Sequence, residues 1–171
     1  MSFPDNAAAD PGAGADVFLH VQTKRAGKVK GESVTAGHAD DIELRGWTWG
    51  AQAGSAIGST AATARRSYKQ LVVFKGMDSA STALLSALAT NDEVRECTLA
   101  MRKAGGEPLD YFRMTLGGAR VVAIDVEVDA QGRPLEKVAF AYTKIDMEYK
   151  RQDAKGASAG AFTFTDEVLP A

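Results

Sequence analysis

The chain has a single cysteine, Cys97, so no internal disulfide can form, and folding in a reducing cytoplasm is expected. It has only two histidines, His20 and His38, far apart and without a second ligand at metal-site spacing. No Cys-x-x-Cys occurs either, which removes the usual zinc signatures. No apolar run approaches the roughly 18 residues of a membrane span, so no membrane insertion is expected. The net charge is only −2, too small for general attraction to nucleic acid or an anionic membrane. The start, Met1-Ser-Phe-Pro-Asp-Asn6, has neither a basic region nor an apolar stretch, so no secretory signal peptide is expected. Catalytic motifs are missing as well. Gly12-Ala-Gly14 lacks the third glycine and the strand–helix setting of a dinucleotide loop, and there is no Gly-x-Ser-x-Gly and no phosphate loop. An enzyme is therefore not expected, and no cofactor is implied.

What is present reads as one domain. The 171 residues are 45% hydrophobic and 25% charged, ordinary for a globular protein. Residues 1–15 are mostly Ala, Gly, Pro and Asp and read as a disordered tail. Residues 16–166 form the domain, and 167–171 a short end. Strands are expected at Asp16–Val21, Asp40–Trp49, Tyr68–Phe74, Arg95–Lys103, Leu109–Leu116, from Val122 to Asp129, Glu136–Lys150 and Phe162–Phe164. Val122, Ile124, Val126 and Val128 alternate with Asp125, Glu127 and Asp129, a half-buried pattern. Between the strands, 22–37 and 50–64 read as loops. One helix is clear, because Ala80, Ala83, Leu84, Ala87 and Leu88 make an apolar stripe. Asp78 or Ser81 can cap its start and Thr90-Asn91 ends it. Many antiparallel strands and one helix predict an all-β, mainly antiparallel barrel or sandwich with an inserted α-helix.

Few residues suggest chemistry. Asp125, Glu127 and Asp129 share a strand face but lack a calcium-loop pattern and read as a solvated surface. Lys24, Arg25, Lys28 and Lys30 are basic, yet Glu32, Asp40 and Asp41 follow closely, so a solvated loop is expected. Cys97 shares a face with Leu99 and Met101 and reads as a small buried hydrophobe. Trp47 and Trp49 are placed on the face of Asp41, Glu43 and Arg45 and read as structural core or interface residues. A monomeric barrel binding a small apolar ligand, with both tryptophans in its mouth, is the alternative.

The order of the motifs carries a resemblance. A Val-Phe-Leu strand leads to Gly31-Glu-Ser33, Gly37-His38, an Ile-Glu-Leu strand and Trp47-Thr-Trp-Gly50. Met77-Asp-Ser-Ala-Ser81, Cys97, Arg102-Lys-Ala-Gly-Gly106, Tyr111 and Val138-Ala-Phe-Ala-Tyr-Thr-Lys-Ile-Asp-Met-Glu-Tyr149 follow. Over roughly residues 16–166 this resembles Hcp, the haemolysin-coregulated proteins of the bacterial type VI secretion system. The resemblance implies an Hcp-like β-barrel with one helix, forming hexameric rings that stack into an inner tube. Its implied partners are other copies of itself, a VgrG-type spike, a contractile sheath and effector proteins carried in the lumen. It implies assembly in the cytoplasm, then secretion without a signal peptide. It also places 50–64 toward the neighbouring ring, with Gln52, Ser55 and Ile57 as the inter-ring contact candidates: two can hydrogen-bond and one can bury. The extension at 1–15 and the Ala/Gly-rich stretch at 50–64 depart from the usual pattern.

Overall fold

The computed structural model describes residues 15–54, 65–103, 109–152 and 158–168. Thirteen strands and one helix make up these residues. The larger sheet contains β1 (Ala15–Thr23), β2 (Gly27–Lys28), β3 (Ile42–Leu44), β8 (Val94–Lys103), β9 (Asp110–Gly117), β12 (Lys144–Gln152) and β13 (Ser158–Glu167). Its order is β13-β12-β9-β8-β1-β2, with β3 also paired to β1. The second sheet, β10-β11-β7-β4, is built from β10 (Arg120–Val128), β11 (Pro134–Ala141), β7 (Leu71–Lys75) and β4 (Gly46–Thr48). The strands β5 (Ala51–Gly54) and β6 (Arg65–Tyr68) pair only with each other. All pairings are antiparallel. The fold is all-β with one inserted helix, as the sequence predicts, but the two sheets do not close into a continuous barrel among the described residues.

Residues directly opposite across a strand pair share a face, so the register shows how the core is made. On the large sheet, Ile42, Leu19, Leu99, Met114 and Met147 form one cross-strand row. Val21, Cys97, Leu116 and Ile145 form the next. Against them the second sheet turns Leu71, Val73, Val138 and Phe140, each without measurable exposure. The helix α1 (Ser81–Ala89) adds Leu84 and Ala87.

The chain changes sheets at sharp corners, and there the expected strands break. Asp40–Trp49 is not one strand. It bends at Arg45, between β3 on one sheet and β4 on the other. The bend resets the alternation, so Trp47 lies with Val73 on the interior side rather than with the charged residues. Likewise Glu136–Lys150 divides into β11 and β12 at Tyr142-Thr143. Here Gly118 (φ +58°) lets two corners touch, because a Cβ at that position would sit 2.2 Å from Thr143 Oγ1. The expected third strand also divides, Tyr68 ending β6 and Leu71 opening β7.

Other expectations are corrected by local geometry. A bulge between Val121 and Ala123 leaves Val122 exposed and turns Val121 and Ile124 toward the core instead. Val126 and Val128 stay on the core side but run past its end and are exposed. Residues 51–54 are a strand rather than loop, and so are 27–28. The stretch at Phe162–Phe164 belongs to a strand of ten residues that pairs with β12 and, among the described residues, with no other strand.

The helix is fixed to the second sheet by a buried ion pair. Lys75 Nζ, with no exposure, lies 2.5 Å from Glu136 and 2.9 Å from Asp78, and also donates to Ser81 Oγ at 3.1 Å. Asp78 accepts the Ala80 N–H at 2.9 Å, whereas the Ser81 hydroxyl is turned to Glu136. Asn91 ends the helix in the left-handed region (φ 51°), a conformation asparagine tolerates.

Candidate functional site

The core rows do not stop where the core stops. Past buried Ile145 the interior face of the large sheet continues along β12 and onto β13, and among the described residues it is left largely uncovered there. Phe112 is opposite Tyr149, and Tyr149 opposite Phe162; Met147 is opposite Phe164. Phe162 is 62% exposed, Tyr149 48% and Phe164 46%; Phe164 ends the row of buried Leu19, Leu99 and Met114, whereas Tyr149 and Phe162 end the neighbouring row of half-buried Val17, Met101 and Phe112. Tyr149 and Phe162 stack on each other with ring centres 6.5 Å apart. The result is an apolar, largely aromatic strip at a sheet edge, with the outer side of β13 unpaired among the described residues.

The β5–β6 pair projects as a separate arm. All four β5 residues are exposed, so β5 buries none of its side chains. Its root is aromatic. Trp49 stacks on Tyr68 at 5.8 Å, and its Nε1–H donates to the Tyr142 hydroxyl at 2.5 Å. That hydroxyl donates on to the Lys69 carbonyl at 2.6 Å. Farther out, Arg66 and Tyr68 both donate to Asp166 of β13, Arg66 through Nε at 2.5 Å and Nη2 at 2.9 Å. These bonds hold the Asp166 carboxyl below the ordinary carboxylate range and raise the Tyr68 hydroxyl.

The opposite face of the large sheet is polar. Arg113, Thr115, Asp146, Glu148, Thr163 and Thr165 line an open groove over β9, β12 and β13. Beside it, loop 29–41 lies on Phe18, whose ring stacks on His38 at 4.3 Å. His38 Nδ1 meets Asp41 at 3.0 Å and Nε2 meets Asp110 at 2.9 Å. An ionised carboxylate only accepts, so His38 satisfies both partners when both ring nitrogens carry hydrogen. Asp41 also meets His20 at 3.0 Å and Lys28 at 3.3 Å, while Asp110 meets Arg102 and Arg113. Burial pushes both carboxyls up. Hydrogen bonds outweigh it, from His38, His20 and Lys28 on Asp41, and from His38, Arg113 and Arg102 on Asp110. Both end below the ordinary range. This cluster pins the loop to the sheet. Gly31 permits the close approach, since a Cβ there would lie 2.3 Å from the Asp41 carbonyl oxygen.

The structure separates the residues singled out from the sequence. Trp47 is half-buried and stacks on Phe112 at 5.7 Å, bridging the two sheets. Trp49 is half-buried at the root of the arm. Gln52 is exposed on β5, whereas Ser55 and Ile57 lie outside the described residues. Cys97 is fully buried, and burial pushes its thiol up to about 12. Asp125 and Glu127 are exposed, and Glu127 pairs with Lys137 at 3.3 Å. Among the described residues no group of three His, Cys, Asp or Glu side chains could hold a metal ion. Sequence reasoning missed the aromatic strip, Asp166 and the histidine cluster. Only the strip left a signal, in the alternation of Ile145, Met147 and Tyr149 and in Phe162-Thr-Phe164.

Fold and surfaces together define an all-β domain of two cornered sheets with one short helix and an uncovered edge. The chain belongs to the Hcp family of secreted type VI secretion system proteins: the family described as "Type VI secretion system effector, Hcp" matches residues 18–149. "Protein hcp1" of Pseudomonas aeruginosa is 30% identical over 151 residues, covering 85% of this chain and 89% of that protein. A solved structure described as a type six secretion system protein superposes with a TM-score of 0.78. It is 27% identical and covers 86% of this chain and 91% of its own. Hcp1 from Salmonella typhimurium gives a TM-score of 0.71 at 25% identity, covering 90% of this chain and 95% of its own.

Proposed function

We propose that this chain is a structural subunit of the type VI inner tube, closing into six-membered rings that stack and carry effectors. The reading gives it no catalytic role. The observation that carries it is the strip of Tyr149, Phe162 and Phe164, which continues the core-facing rows of the large sheet into solvent. Contiguous aromatic surface of this kind marks a protein–protein interface, and a ring is the arrangement in which one copy covers the next. The projecting β5–β6 arm suits contact with a neighbouring ring, with Gln52 among its exposed residues. A VgrG-type spike and a contractile sheath are the further partners in this reading. Assembly precedes export, which needs no cleaved signal.

The packing weighs against a small-ligand barrel. Leu19, Leu99, Met114 and Phe140 fill the space between the sheets with no measurable exposure. Sedimentation velocity and native mass spectrometry at high micromolar concentration test the proposal. The expected species is a hexamer, and Phe162→Ser with Phe164→Ser should return it to monomer. A wild-type chain that stays monomeric under these conditions overturns the ring.

A further inference from the structure

We infer that Asp166 is the positioning residue of the arm: it sets the arm's direction and joins it to the strand bearing the aromatic strip. The inference rests on the reading of the arm as a stacking element. A two-stranded hairpin is marginal by itself, and this one buries no β5 side chain, so its direction is decided where it meets the body. The root contacts, Trp49 on Tyr68 and the Tyr142–Lys69 bond, all lie at the base of the arm and leave it free to swing about them. Asp166 supplies the second point of attachment. Arg66 lies two residues farther out than Tyr68 and therefore on the same face of the arm. A guanidinium giving two N–H groups to one carboxylate fixes orientation as well as distance. The register places Ala51 and Ala53 on this same face, against Tyr68 and Arg66, while Gln52 and Ser67 share the other. The anchor thus turns Gln52 and Ser67 away from β13, leaving that face for a partner.

Asp166 is also in step with the strip. On β13 it follows Phe162 and Phe164 at intervals of two, so all three side chains leave the same face of the strand. The carboxylate is engaged by the arm through Arg66 and Tyr68, and the phenylalanines beside it remain for a neighbouring copy.

Dipolar electron spectroscopy tests the inference in the full chain, with spin labels on Gln52→Cys in the arm and Glu127→Cys on the body. Buried Cys97 stays unlabelled. With the doubly labelled chain diluted in unlabelled chain, so that a ring holds one labelled copy, the wild-type background should give one narrow distance distribution. Asp166→Ala and, independently, Arg66→Gln should broaden it severalfold, and Asp166→Glu should restore most of the narrowness. The hexamer should persist in both broadened variants, with stacking by electron microscopy or secretion from cells lost. An unchanged distribution in both variants overturns the inference, as does loss of the hexamer itself. Should the wild type prove monomeric, the ring reading fails, while the distance distribution still decides whether Asp166 positions the arm. Should Asp166→Ala fail to fold, Arg66→Gln decides alone.

Discussion

The large sheet carries one apolar face but meets two different fates along it. Over β1, β8 and β9 the rows are sealed by the second sheet and the helix, and Leu19, Leu99 and Met114 have no exposure. On β12 and β13, past buried Ile145, that row ends in Phe164 and the half-buried row beside it ends in Tyr149 and Phe162, all three open to solvent. Alternation and register are continuous across the boundary, and among the described residues only the covering layer is missing. The covered half holds the subunit's core; in the proposed ring the uncovered half is the surface for another copy. Substitutions in the two halves should therefore separate stability from assembly.

The largest effect is expected on the covered side. Glu136→Ala leaves Lys75 buried without its closest carboxylate, and should cost about 3–5 kcal/mol in urea unfolding of the subunit. Leu99→Ala, in the middle of the sealed rows, should cost about 2–5 kcal/mol by the same measurement. The matching change in the open half, Phe164→Ser, should move monomer stability by no more than about 0.5 kcal/mol while abolishing the ring in sedimentation. If Phe164→Ser destabilises the monomer as much as Leu99→Ala does, the two halves do not differ as described.

Acid sharpens the comparison in another way. The folded-state carboxyls of Asp41 and Asp110 titrate below their unfolded values. Their contribution is therefore complete above the ordinary carboxylate range, near pH 4, and is lost as pH falls through their lowered values. Melting followed from pH 7 down to pH 2 should show this loss, and Asp110→Asn should flatten that acid limb. The smallest effect concerns Cys97, whose raised thiol should resist a thiol reagent at pH 8 in the folded chain and react on unfolding.

Most strands were legible because their alternation is local, as in Cys97, Leu99 and Met101 or Phe112, Met114 and Leu116. The corners at Arg45 and Tyr142 were not, because side-chain alternation runs on in the sequence where the backbone turns to the other sheet. The bulge at Val122 was hidden for the same reason: one extra residue changes the facing without changing the composition. The uncovered strip was half legible. Phe162 and Tyr149 could be placed on strands, but whether another layer covers them is decided by tertiary packing. Asp166 meets Arg66, and Asp110 meets His38, across such long sequence separations that no spacing rule brings them together. The family resemblance came from the order of short motifs, which survives where pairwise contacts cannot be read.

The pairing of β1 with β8 joins residues farther apart in the chain than any other strand pairing among the described residues. Leu19 lies beside Leu99, so the central rung of the large sheet closes a loop that contains the second sheet's β4 and β7, the arm and the helix. Chain entropy is lost on closing that loop before its contacts repay the loss, and topologies of this sort fold in about milliseconds to seconds rather than microseconds. Throughout that interval Leu19, Leu99 and Met114 are as accessible as Phe162 and Phe164 remain afterwards. A nascent chain cannot yet distinguish the surface meant for a neighbour from the surface meant for itself. High synthesis rates should therefore divert chains into aggregates that slower synthesis avoids.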